Sequence, residues 1–102
     1  MPSDPGIADT PRHDTAGHRF TLSVGGALAV LDYRVIDATT VEYHHTFVPR
    51  EFRGRGVASR LAAYALRDAL DNRRKVIPTC PFVAAFIRRH PEYAPVLGRS
   101  AG

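Results

Sequence analysis

The stretch Val48-Pro49-Arg50-Glu51-Phe52-Arg53-Gly54-Arg55-Gly56-Val57-Ala58-Ser59-Arg60-Leu61 constrains this chain more than any other. It joins a β-branched run to a helix-periodic apolar run through a loop rich in glycine and arginine. A strand, a Gly-rich turn and a helix start form a standard cradle for a phosphate. The first N–H groups of a helix have no partner inside it, and the macrodipole adds partial positive charge there. Glycine lets an anion approach the backbone closely. The element therefore reads as a nucleotide- or cofactor-binding loop. The plainer alternative is a helix start with convenient glycines.

The rest of the chain places this loop between layers. Residues 1–17 carry Pro2, Pro5, Gly6 and Pro11 and show no apolar periodicity, so a loose, disordered leader is expected there. A single folded domain is expected over 18–102. Phe20, Leu22 and Val24 alternate with Thr21 and Ser23, as in a half-buried strand. Gly25-Gly26 signals a hairpin, and Ala27–Val35 is the return strand. Residues 36–39 form a second turn. Thr40–Val48, rich in Val, Thr, Tyr and Phe, makes a third strand that Pro49 ends. Val57, Ala58, Leu61, Ala62, Ala65, Leu66, Ala69 and Leu70 recur at helical steps, predicting a helix from Gly54 to Arg73. A short strand begins at Val76-Ile77. Pro81 suits the first turn of a second helix, with Thr79 or Cys80 as its cap, ending before Pro91. The order is antiparallel strands, then helix, parallel strand and helix. That is an α+β fold with a mixed sheet covered by helices on at least one face.

A chain of 102 residues with a net charge of +4 makes one modest core. The charge comes from 13 Arg and one Lys against 10 acids, which invites an anionic partner. The arginines cluster at the loop or scatter along helix faces, which argues against a nucleic-acid surface. A single cysteine excludes an internal disulfide and fits a reducing compartment. Neither a signal peptide nor a membrane span is visible, so a cytoplasmic protein is the expectation. No His or Cys spacing suggests a metal site.

Arg53-Gly54-Arg55-Gly56-Val57-Ala58 fits the pattern Arg/Gln-x-x-Gly-x-Gly/Ala. Together with His45-Thr46-Phe47-Val48-Pro49 before it, the segment resembles the acetyl-CoA loop of the GNAT superfamily of N-acetyltransferases. More narrowly, it is similar to a minimal single-domain branch of that superfamily. Pro78-Thr79-Cys80-Pro81-Phe82-Val83 and His90-Pro91-Glu92-Tyr93 match two further motifs of the branch, and the likeness covers roughly residues 18 to 97. The resemblance implies a GNAT-like fold. It also implies acetyl-CoA as co-substrate, its pyrophosphate on the amides of Arg53, Gly54, Arg55, Gly56, Val57 and Ala58. The pantetheine arm would then run beside Phe47 and Val48.

Cys80 has two readings from the residues alone. It is a small buried hydrophobe, or a thiol at a helix start where the dipole favours the thiolate. The resemblance places it near the acetyl end of the coenzyme, as nucleophile, as acid to the leaving thiol, or as neighbour only. His44 and His45 are adjacent on a strand and should face opposite ways unless a bulge intervenes. His45 matches the family histidine and is a candidate general base or a packed imidazole. Some relatives carry Glu where this chain has Phe47, so a Glu-based mechanism lacks its carboxylate. Glu42 is expected on the face of His44, and Glu51 in the loop. These readings point to acetyl transfer from acetyl-CoA to an amine acceptor, with room for a protein partner to complete the acceptor wall. A non-catalytic acyl-CoA-binding module and a basic nucleic-acid-binding domain are the alternatives.

Overall fold

The computed structural model describes residues 10–97. Their strands form one five-stranded sheet in sequential order, β1 (Arg12–Asp14), β2 (Arg19–Val24), β3 (Ala27–Asp37), β4 (Thr40–Phe47) and β5 (Lys75–Pro78). β1 to β4 are antiparallel, and β5 pairs parallel to β4. Helix α1 (Val57–Asp71) makes the crossover to the parallel strand, and α2 (Pro81–Arg89) follows β5. This is the mixed α+β sheet expected from the sequence.

Alternation decides which face of the sheet is covered. Phe20, Leu22 and Val24 of β2, Ala29, Leu31 and Tyr33 of β3, and Val41 and Tyr43 of β4 are all buried. They meet Val57, Leu61, Ala62, Ala65, Leu66 and Ala69 of α1 in one core with Val76, Val83 and Ile87. Alanines on the inner stripe of α1 let the helix lie close to the sheet. Close approach also lets the buried Tyr43 hydroxyl donate to the Ala65 carbonyl at 2.7 Å. Burial raises the Tyr43 hydroxyl's pKa far above its ordinary value, so it stays a donor.

Two departures from the sequence reading concern strands. The first is β1, which lies inside the stretch expected to be a loose leader. It is held by ladder pairing to β2 and by His13, which stacks on Phe20 at 4.2 Å and bonds the Tyr33 hydroxyl at 2.6 Å. Three residues are too few to show a period, and their anchor is tertiary. Residues 1–9 of that leader and residues 98–102 lie outside the described residues. The second is a bulge. Tyr33 pairs with Tyr43 and Asp32 with His45, leaving His44 without an opposite residue. The extra residue switches the faces of β4 beyond it. Thr46 stands opposite buried Leu31, on the helix face, while His45 and Phe47 stand opposite Asp32 and Val30 on the open face.

Helix α1 begins at Val57, where its apolar period starts, and ends at Asp71, inside the Gly54 to Arg73 span expected from the sequence. Pro49 ends β4, residues Arg50–Phe52 form a 3-10 turn, and Gly56 is the N-cap of α1. Near the C-terminus, the Phe86 ring of α2 stacks on Tyr93 and lies tilted against His90.

Candidate functional site

Gly54 and Gly56 both sit at φ +81°, a left-handed conformation that glycine adopts without strain. No described atom lies within 4 Å of where a Cβ would project from either. The glycines are thus required by backbone conformation rather than by crowding. No side chain caps the start of α1. Arg60 N–H is the first to bond back into the helix, to Gly56 O at 3.0 Å. No described residue accepts from the amides of Gly54, Arg55, Gly56, Val57, Ala58 or Ser59. Such a run of unpartnered donors at a helix dipole's positive end is an anion site in waiting.

These donors open onto a cavity of about 470 Å³, lined by Thr46, Phe47, Val48, Phe52, Arg53, Gly54, Gly56, Val57, Ala58, Ser59 and Phe82. Phe47, Val48, Arg53, Gly54, Gly56, Val57 and Ala58, singled out in the sequence, therefore share one wall. Arg55 does not line it; its guanidinium lies over the Phe52 ring, 5.5 Å from the centroid. Thr46, Phe52, Ser59 and Phe82 were not singled out. Ser59 was legible, since a hydroxyl in a helix's first turn is an obvious anion donor. Thr46 reaches the cavity through the β4 bulge, Phe82 through the packing of α2, and Phe52 from the 3-10 turn, where it packs beside Gly25.

The cavity lies where β4 and β5 part. Their ladder ends at Tyr43 with Pro78, and Cys80 N donates to Tyr43 O at 3.0 Å as a last rung. Beyond it, Thr46–Val48 faces Phe82 across the cavity instead of a strand. Arg53 folds along this edge, its Nε donating to Val48 O at 3.0 Å and its guanidinium near the Phe47 ring.

Cys80 and His45 are not brought together. Cys80 caps α2 and is 5% exposed, with Sγ 3.5 Å from Thr46 Oγ1. Thr46 lines the cavity, whereas Cys80 does not. His45 is on the opposite face of β4 and exposed. Glu42 also belongs to that open face, where Thr79 Oγ1 donates to it at 2.7 Å and Arg34 Nη1 at 3.2 Å. These bonds, that from Thr79 foremost, hold its carboxyl below the usual carboxylate range. Glu51 is exposed in the 3-10 turn. Among the described residues no three His, Cys, Asp or Glu side chains are grouped to hold a metal ion, and no helix is long and apolar enough to cross a membrane.

A mixed sheet with a parallel β4–β5 pair joined by a crossover helix is the α+β fold of the N-acetyltransferase class. The chain belongs to the GCN5-related N-acetyltransferase family, whose model matches residues 19–96. It is 32% identical over 90 residues to Protein NATD1 of Xenopus tropicalis, covering 86% of this chain and 83% of that one. Against Protein NATD1 of Homo sapiens it is 33% identical over 81 residues, covering 78% and 72% respectively. Among solved structures it is similar to a GCN5-like protein of Staphylococcus aureus, described as a candidate N-acetyltransferase. That match has a TM-score of 0.66 at 26% identity, covering 97% of this chain and 94% of the other.

Proposed function

We propose that this protein moves an acetyl group from acetyl-CoA to an amine. The observation that carries the reading is the run of unpartnered amides from Gly54 to Ser59 on a cavity wall. A diphosphate placed there accepts charge-assisted bonds from donors at the positive end of the helix dipole. The Ser59 hydroxyl and the Arg53 guanidinium add further donors. The strand edge at Thr46–Val48 offers the pantetheine arm a backbone to pair with. The thioester then lies toward Thr46 and the end of the β4–β5 ladder.

At that point the chain need only orient the reactants and manage a proton. The amine nitrogen attacks the acetyl carbon, the carbon–sulfur bond breaks, and the proton lost by nitrogen is balanced by one gained at the coenzyme sulfur. Thr46, backed by the Cys80 thiol, is placed to donate to that sulfur. His45 can serve as base only to an acceptor arriving from the open face of the sheet.

A second reading is favoured by two observations. Phe47, on the cavity wall, carries no carboxylate, and His45 does not line the cavity. A coenzyme-binding module without transferase activity fits both.

A thermal-shift series with CoA, acetyl-CoA and longer acyl-CoAs separates these readings when paired with an amine-acetylation assay. Ligand at about 100 times Kd adds roughly 2.7 kcal/mol, a rise of about 10 °C or more in a domain this size. Stabilisation with turnover supports the transferase, and stabilisation without turnover of any amine supports the binding module. No shift with any CoA species would sink both.

A further inference from the structure

We infer that Gly25, in the β2–β3 hairpin, is a positioning residue for the coenzyme loop and acts through Phe52. The inference rests on the coenzyme reading of the cavity. Gly25 lies far from the loop in sequence and does not line the cavity. A Cβ built on it would stand 2.3 Å from Phe52 Cζ and 3.1 to 3.2 Å from the neighbouring ring carbons. The ring tip of Phe52 therefore occupies the space that any other residue at 25 would fill. Phe52 also lines the cavity and packs against the core, and the Arg55 guanidinium lies over its ring. One ring thus links the hairpin to a loop that makes few bonds of its own. Backbone bonds from Phe52 N to Pro49 O and Arg53 N to Arg50 O shape the 3-10 turn just before the glycines. Past Arg53 no described residue accepts from a loop amide until α1 is under way. The direction of the Gly54 to Ser59 donors is therefore set upstream, by where the Phe52 peg seats. Gly26 supplies the control. It has the same left-handed backbone, φ +82° against +53° for Gly25, but nothing lies within 4 Å of its missing Cβ.

The test compares Gly25→Ala, Gly26→Ala, Phe52→Leu and the double variant Gly25→Ala/Phe52→Leu in the full chain. CoA affinity is measured by calorimetry, and KM for acetyl-CoA and kcat by amine acetylation. The backbone amide NMR shifts of Gly54 and Gly56 are recorded without ligand. Both glycine variants lose stability through backbone strain. Only Gly25→Ala displaces the ring, so only it moves the Gly54 and Gly56 amide shifts. It should weaken CoA about tenfold, the equivalent of one misaligned charge-assisted bond, raising KM with kcat little changed. Adding Phe52→Leu, which shortens the peg, brings affinity back to that of Phe52→Leu alone. Equal CoA affinity in Gly25→Ala and Gly26→Ala, or unmoved loop amides, overturns the inference. If wild-type protein binds no CoA, the coenzyme reading fails, and the amide shifts still decide whether Gly25 sets the loop. Should Gly25→Ala not fold, Phe52→Leu with unmoved loop amides overturns the inference by itself.

Discussion

The Cys80 sulfur is 3.5 Å from the Thr46 hydroxyl, and the residue is 5% exposed. A nucleophile must meet the thioester carbon directly, whereas a proton donor can act through a hydroxyl that already faces the cavity. The geometry favours the second role. Cys80→Ala should lower kcat by about 10²-fold, the low end for a general acid, while CoA affinity stays unchanged. Rapid quenching with acetyl-CoA should yield no acetylated Cys80 peptide by mass spectrometry. Full turnover in Cys80→Ala would leave the sulfur a packing role only. Glu42 offers a pH-dependent test on the other face. The Thr79 bond favours its charged form, so its folded pKa lies below its unfolded one. The resulting stabilisation is complete above about pH 4.3, the unfolded value, and is lost as pH falls through the folded value. Thr79→Val should therefore be less stable than wild type at pH 7 in urea titrations. The difference should shrink as pH drops below about 4. A gap that ignores pH would show that Thr79 acts through packing alone.

At the scale of elements, the start of α1 depends on a backbone conformation that only glycine accepts easily. Gly56→Ala meets no described atom, so its cost is conformational, about 1–2 kcal/mol. Relief through a more ordinary φ would re-aim the Val57 to Ser59 amides. Loss of one bond to a charged acceptor is worth about 1.5–3 kcal/mol, so CoA should bind about tenfold to a hundredfold more weakly. Calorimetry beside urea denaturation checks both halves, and unchanged CoA affinity would detach these amides from the coenzyme. The sequence shows this element well because its determinants are local: Pro49, the Gly54–Gly56 pair and the apolar stripe of α1 need no knowledge of the rest. What it hides is tertiary. The bulge at His44 has no local signature, yet it decides that Thr46 rather than His45 faces the helices. Phe52 reads as a loop residue until the hairpin glycine beneath it is seen. β1 is too short to carry a pattern, and its hold comes from Phe20, Tyr33 and α1.

Across the whole molecule, stability and binding draw on opposite ends of α1. The cavity sits at Val57, where the helix begins, while His13 approaches the helix at Asp68, with Nδ1 3.8 Å from Oδ1. Eleven residues separate those positions, about 16 Å along the axis at 1.5 Å per residue. That exceeds the range of about 7–10 Å within which mutational effects usually couple. His13→Ala removes a hydrogen bond to Tyr33 and a stack on Phe20, both on a part-buried aromatic cluster. Together these are worth about 2 kcal/mol, or roughly 10 °C in the melting temperature of a chain this short. CoA affinity should be unchanged, because nothing His13 touches reaches the loop. A double variant with Gly56→Ala should show the stability losses adding and the affinity loss equal to that of Gly56→Ala alone. If His13→Ala instead weakens CoA binding in proportion to its loss of stability, the two ends of α1 are one cooperative unit. The loop is then held by the whole core and not by the hairpin and helix start beside it.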